Sequence, residues 1–294
     1  MATAVTSSAF IWRRVHSLMG FWLVIYLTEH LIINSQATLW LGDDGAGFIT
    51  FVNFLESLPY LQVIELLLIG FPLLVHGIWG IKRALSAKCN TLPYGRNRAF
   101  TWQRLSSWIL LFGIIGHVAQ MRFIDYPKKI EIGHQSHYLT KITFDPGLYT
   151  LAPRLGVTLH GREIADASFS PSAAKWAKKQ QEVEQQNTFR KTLESYSLKD
   201  NEVVAESPSP GVAMLLSVRN TFKSPLMAIF YTIFVLAAAF HAFNGFWTFL
   251  ITWGVILSYR SQKSMVPVSA IGIALLSFLG LAAIWGSYWI NLRC

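Results

Sequence analysis

Four apolar segments of membrane-crossing length each carry a histidine, and every fold open to this chain has to accommodate that pattern. The first is RRVHSLMGFWLVIYLTEHLIIN, Arg13 to Asn34, which opens on two arginines and holds His30 near its far end. Three later runs hold His76, His117 and His241. About 20 apolar residues span a bilayer as a helix. A polar ring inside hydrocarbon costs several kcal/mol unless it is paired or liganded, so each of these histidines needs a partner.

Composition agrees with a membrane protein: 52% of the 294 residues are hydrophobic and only 14% are charged, where soluble domains carry about one charged residue in four. The aromatic residues suit interfacial belts. A net charge of +9 does not call for nucleic acid, because Lys and Arg accumulate in short cytoplasmic loops for topological reasons. No nucleic-acid partner is expected. Cys89 and Cys294 give no support for a disulfide framework. The opening MATAVTSSAF lacks a basic n-region and a cleavage signature, so the first helix is expected to be retained.

Taken in order, helix I is expected over Val15 to Ile33, with Arg13 and Arg14 favouring a cytoplasmic N-terminus. The loop from Asn34 to Pro59 carries Asp43, Asp44 and Glu56 but no Lys or Arg, which places it outside. Helix II is expected from Tyr60 to Ile81, kinked by Pro72 one turn before His76. The loop with Lys82, Arg83, Lys88, Arg96, Arg98 and Arg104 is inside, and helix III follows over Leu105 to Met121. Helix IV begins at Pro225, and its apolar run reaches Tyr259, too long for one perpendicular span; it either tilts or breaks near Asn244 and Gly245. Helix V is expected from Pro267 to Trp289. The fold class is therefore an all-α membrane protein of five transmembrane helices, with a long extramembrane insertion between helices III and IV. Its divisions are 1–122, 123–223 and 224–294. The insertion is expected on the outer side, with one short helix around Ala173 to Tyr196 between Pro/Gly-rich turns, SPSPG being a turn or linker.

Helical rise then sets the depth of each histidine. At ~1.5 Å per residue, His30 lies about 22 Å along helix I and His117 about 18 Å along helix III, both in the outer half. His76 lies just before the inner end of helix II, and His241 about 24 Å along the inward-running helix IV, both in the inner half. A single intramembrane histidine has a plain use in hydrogen-bonding a neighbouring helix. Four on four helices, two per depth, instead match two bis-histidine haem b sites, His30 with His117 and His76 with His241. Ligands at two depths would not converge on one tetrahedral zinc. Gly20, Gly70, Gly77, Gly80, Gly113 and Gly116 remove bulk on helices I to III, through ordinary helix packing or to admit a cofactor.

Further candidates lie at the helix ends. Arg14, His16, Ser17 and Arg104 are inner-side candidates for haem propionate contacts, although topology alone also accounts for the arginines. Glu29, beside His30, and Glu65, within helix II, are carboxyls in apolar helices and must be paired or protonated. A structural role suits Glu65, and Glu29 is open. Glu56, at the outer mouth of helix II, is better placed to exchange protons with water.

The segments RRVHSLMG, EHLIIN, SLPYLQVIELLLIGFPLLVHGIWG, QRLSSWILLFGIIGHVAQMR and FHAFNGFWTFLITWGVILSYRSQ resemble the cytochrome b558 subunits of succinate dehydrogenase, five-helix dihaem anchors also seen in related fumarate reductases. The resemblance covers nearly all of the chain outside about residues 123–218. It implies the same four haem ligands and the same pairing. It also implies a flavoprotein with FAD and an iron–sulfur protein docked on the cytoplasmic face of the inner membrane. Electrons would pass to the inner haem, then the outer haem, then menaquinone near the outer face, with Glu56, before LPY, as the quinone-site candidate. Two departures stand out: Ala239 and Phe240 occupy the positions upstream of His241 where the fumarate reductases have a helical glutamate, and the III–IV connection is long. The alternatives are an anchor of another quinone-linked complex, such as a fumarate reductase, formate dehydrogenase or hydrogenase, and a haem-free structural membrane protein.

Overall fold

A computed structural model of the chain describes residues 2–39, 42–86, 95–132, 135–161 and 176–293. Cys89, Cys294 and the start of the expected insertion helix at Ala173 lie outside the described residues. Five helical stretches are long and apolar enough to cross a membrane: Ser8–Ser35, Leu61–Ser86, Arg98–Ile124, Pro225–Thr252 and Tyr259–Leu292. Helices are the open-chain solution to hydrocarbon, because every backbone N–H and C=O must be satisfied within the segment.

The chain forms two compact units. The first joins Met1–Ser35, Leu58–His117 and Ile229–Ala283. Here helix α1, Ala2–Ser35, packs Leu31, Val24 and Leu27 against Ala239, Ala242 and Phe243 of α9, Pro225–Thr252, and against Leu276, Ile273 and Leu279 of α10, Tyr259–Arg293. Small residues let these helices close. A Cβ at Gly272 would run into the Phe243 ring, and one at Gly280 into Val235.

The second span differs from the expected proline kink. A short helix, α3 (Leu61–Glu65), passes through a π-helical turn at Leu66–Gly70 into α4, Phe71–Ser86, which contains Pro72. Pro72 has no N–H to give the Leu68 carbonyl four residues back. That carbonyl accepts a hydrogen bond from the Trp22 indole at 2.6 Å instead. The irregularity thus sits before the proline, and a neighbouring helix satisfies the orphaned oxygen.

Of the two expectations for the over-long apolar run, the break near Asn244 and Gly245 is corrected: α9 is one continuous helix. It passes unbroken through Asn244 and Gly245 and stops at Thr252. Gly254, at φ 76°, ends it: the Val255 N–H bonds the Leu250 carbonyl at 2.9 Å and the Gly254 N–H bonds Ile251 at 3.1 Å, the paired bonds of a Schellman cap. Helix α10 starts at Tyr259 rather than near Pro267, with the Ser258 hydroxyl accepting from the Ser261 N–H at 3.1 Å.

The second unit joins Gln36–Ser57, Val118–Ala228 and Ile284–Cys294. These segments follow the first, third and fifth candidate spans. The helix expected around Ala173 to Tyr196 is present as Trp176–Glu194, but the turns expected around it are corrected to a four-stranded sheet with further helices. Strands β1 (Lys128–Ile132), β2 (Gln135–Thr143), β3 (Thr158–His160) and β4 (Glu202–Ser207) pair antiparallel in the order β1-β2-β4-β3. Alternation sends Ile142 and Ala205 to one face, against Leu148 and Leu151 of α6 (Pro146–Arg154) and Val212 and Leu216 of α8 (Pro210–Thr221). Ile130, Leu139 and Val204 face the other way, onto Phe189 and Leu193 of α7, Trp176–Glu194. SPSPG is no linker: Ser209 caps α8 by accepting from the Val212 N–H at 3.4 Å, and Pro210 occupies the first turn. A further helix, α2 (Ala46–Glu56), lies in the first connection and is tied to α8 by its Asn53 side-chain oxygen, which accepts from the Gly211 N–H at 2.8 Å.

Candidate functional site

All four span histidines belong to the first unit, and the structure brings them together two by two. The His30 and His117 ring centres stand 5.9 Å apart with planes at 84°. Those of His76 and His241 stand 6.2 Å apart at 83°. Hydrogen-bonded imidazoles have no need of such a separation, whereas two imidazoles bonded to one metal at ~2.0 Å put their ring centres about 6 to 6.5 Å apart. The donor set, two neutral nitrogens on facing helices, is the one haem iron takes. Among the described residues no group of three or more His, Cys, Asp or Glu side chains is placed to hold a metal ion.

The remaining contacts aim these rings. His76 is pressed from one side by His16, whose ring stacks on it at 4.1 Å and 9°. The His16 backbone carbonyl accepts from His76 Nδ1 at 3.1 Å. A carbonyl only accepts, so the His76 proton is on Nδ1 and the Nε2 lone pair is left for a ligand. Gly20 makes the space, since a Cβ there would come 2.7 Å from His76 Cε1. His241 Nδ1 lies 3.2 Å from the Ser106 hydroxyl of α5, Gly95–Val118. Gln103, one turn earlier on α5, donates to the His241 carbonyl at 3.1 Å, and Asn244 donates to the Gln103 side-chain oxygen at 2.8 Å. This clamp explains why α9 stays helical at Asn244: its amide is paired within the bundle and does not compete for the backbone.

His117 Nδ1 lies 3.2 Å from the Tyr231 hydroxyl, and its ring also meets Phe234. The Asn34 amide donates to the His30 carbonyl at 2.8 Å and approaches His30 Nε2 at 3.4 Å. A Cβ at Gly77, next to His76, or at Gly116, next to His117, would meet nothing within 4 Å.

The other candidates are more dispersed. Arg14 lies over the Phe10 ring at 3.9 Å, and Arg104 donates to the Ala84 carbonyl at 3.0 Å. Ser17 is half-buried on α1, and Glu29 is exposed on the same helix. Glu56, at the end of α2 in the second unit, accepts from the Tyr126 hydroxyl at 3.0 Å, and Arg122 covers the Tyr126 ring at 4.5 Å. Burial, with the Glu56 charge behind it, pushes the Tyr126 phenol up to about 12, so it remains a donor at any physiological pH. Sequence reasoning missed Gln103, Ser106, Tyr231, Asn244 and Tyr126. A signal existed for some: Gln103 and Ser106, and His241 and Asn244, are polar pairs three apart in apolar helices, hence on one face.

The chain is 26% identical over 279 residues to the succinate dehydrogenase cytochrome b558 subunit of Bacillus subtilis (strain 168), covering 94% of this chain and 96% of that one. The chain resembles succinate dehydrogenase cytochrome b558 subunits. No family model and no solved structure matches it. With five helices of crossing length and a cytochrome b558 subunit as a relative, it is a multi-pass membrane protein.

Proposed function

We propose that this chain is the dihaem cytochrome b anchor subunit of a succinate dehydrogenase. The observation that carries the reading is the pair of facing histidine couples at 5.9 and 6.2 Å, each close to the separation that ligation of one iron from opposite sides would impose. His76 and His241 would hold the inner haem b, and His30 and His117 the outer one. Haem b supplies one-electron iron chemistry, here a relay between the iron–sulfur subunit and menaquinone. The chain's own residues do the rest: the His16 carbonyl fixes the His76 tautomer, Ser106 and Tyr231 lie at the Nδ1 atoms of His241 and His117, and the apolar helices keep bulk water away from both sites.

The basic connection after the second span, with Lys82, Arg83, Arg98 and Arg104, faces the cytoplasm in this reading and receives the flavoprotein and iron–sulfur subunits. Arg14, His16, Ser17 and Arg104 lie toward that end and supply the polar groups for haem propionates. Glu56 handles the protons of quinone reduction on the opposite side, with Tyr126 as its hydrogen-bonded partner. Glu29 carries a weaker claim to the same task, since it is exposed on α1 without an assigned partner.

The test is the purified membrane complex. A reduced-minus-oxidised spectrum with two b haems per chain, co-purification of a flavoprotein and an iron–sulfur protein, and succinate-driven menaquinone reduction that drops in Glu56→Gln are the expected results. Absence of a b-type band ends the haem reading. Co-purification with a different dehydrogenase moves the chain to another quinone-linked complex.

A further inference from the structure

The Ser106 hydroxyl lies within reach of two groups, the Gln103 backbone carbonyl at 3.0 Å and His241 Nδ1 at 3.2 Å. With iron on His241 Nε2 the ring proton is on Nδ1, so the imidazole donates to the Ser106 oxygen and the hydroxyl donates onward to the Gln103 carbonyl. Ser106 is 5% exposed, too buried for solvent to replace it readily. The result is a directed chain from His241 Nδ1–H to Ser106 and on to a helix carbonyl, in which each bond polarises the next. The facing ligand candidate, His76, donates its own Nδ1–H to the His16 carbonyl. With both Nε2 atoms on iron, both rings of this couple give a hydrogen bond to an oxygen acceptor.

From this geometry we infer that Ser106 is a positioning residue for the His76–His241 haem: it accepts the His241 Nδ1–H and lowers the reduction potential of that haem alone. The inference rests on the dihaem reading. Hydrogen-bond donation from the ring N–H leaves more electron density on the imidazole, which favours the ferric over the ferrous state. In the other couple the hydroxyl at His117 Nδ1 is that of Tyr231, at 3.2 Å, so Ser106 acts on the His76–His241 couple.

The intact complex is titrated potentiometrically in wild type, Ser106→Ala and Ser106→Thr, with haem per chain measured in parallel. Expected is one redox step moved to higher potential in Ser106→Ala, the other step unmoved, and wild-type behaviour in Ser106→Thr. The step that moves must be the one missing in His241→Ala. Two haems with unshifted steps overturn the inference, as do equal shifts of both steps or the same shift in Ser106→Thr. Loss of one haem in Ser106→Ala that Ser106→Thr restores supports it, and loss in both variants overturns it in favour of a packing role. A wild-type complex without haem refutes the dihaem reading itself.

Discussion

Gly20→Ala is the smallest change that should reach one haem site and spare the other. An ideal Cβ at position 20 stands 2.7 Å from His76 Cε1 and 2.9 Å from its Nδ1, well inside the ~3.5 Å of a normal carbon contact. The ring has poor means of retreat, because His16 stacks on it at 4.1 Å and the His16 carbonyl holds its Nδ1 at 3.1 Å. Overpacking of this kind costs about 1–3 kcal/mol. If that cost falls on the ligated state, haem affinity drops by roughly 5- to 150-fold, at tenfold per ~1.4 kcal/mol. The assay is haem per chain with the redox titration: in Gly20→Ala the same step should weaken or vanish that is lost in His241→Ala. Gly113→Ala, whose added methyl would strike Phe234 beside His117, should affect the opposite step. Full occupancy and unchanged potentials in Gly20→Ala would show that His76 is not confined as described.

If each couple holds a haem iron, imidazole planes crossed at 84° and 83° would leave the iron dπ orbitals nearly degenerate, and the ferric protein should give highly anisotropic low-spin resonance signals; a near-parallel-plane spectrum contradicts the crossed arrangement. Tyr126→Phe removes one hydrogen bond to a carboxylate, about 1.5–3 kcal/mol at most, and, if Glu56 serves the quinone site, should slow menaquinone reduction by up to roughly 100-fold while leaving both haems and succinate-to-dye activity intact. In the sheet, Glu206 accepts from His137 and His160 at 2.6 Å each, and the His160 hydrogen bond foremost holds its carboxyl below the usual range. A depressed carboxylate stabilises the fold fully above its unfolded value near ~4.3 and loses that contribution as pH falls through the folded value, so hydrogen exchange at β4 should quicken on acidification below that range and do so less steeply in Glu206→Gln. Single cysteines at Glu131 and Leu85, in a chain freed of its own two, should react with an impermeant maleimide from opposite sides, Glu131→Cys from outside; the reverse pattern overturns the cytoplasmic N-terminus, and labelling from one side overturns the parity of spans.

Hydropathy located the spans because insertion into hydrocarbon depends on the same transfer energies that the hydropathy scale counts. It could not locate where α9 stops. Gly254 lies inside WGVIL, and a left-handed glycine in an apolar run leaves the hydropathy almost unchanged while terminating the helix. The sheet escaped for a related reason: KKIEI and QSHYLTKIT are short, half-polar strands whose alternation is weak, and their buried faces exist only once α6, α7 and α8 cover them. Ser209-Pro210 and Asp145-Pro146 were readable as helix starts. The prolines around them read equally well as turns, and tertiary packing decides between the two.

The candidate site divides along the same line. The histidine couples follow from one-dimensional information, crossing direction and residues from a helix end, because a membrane fixes depth as no soluble fold does. What aims the rings does not. Gly20 clears His76, the His16 carbonyl accepts its hydrogen bond, and Ser106 lies 3.2 Å from His241 Nδ1, and each relation joins residues on different helices whose rotation no hydropathy profile contains. Gln103 shows what the difference means chemically. In sequence it is one polar residue at the edge of a span, yet it donates to the His241 carbonyl, accepts from Asn244 and lends its own carbonyl to Ser106. Replacing it with Leu would leave hydropathy and span count as they are and remove the side-chain bonds that tie α5 to α9 at His241, so the same membrane topology would persist around a less constrained ligand.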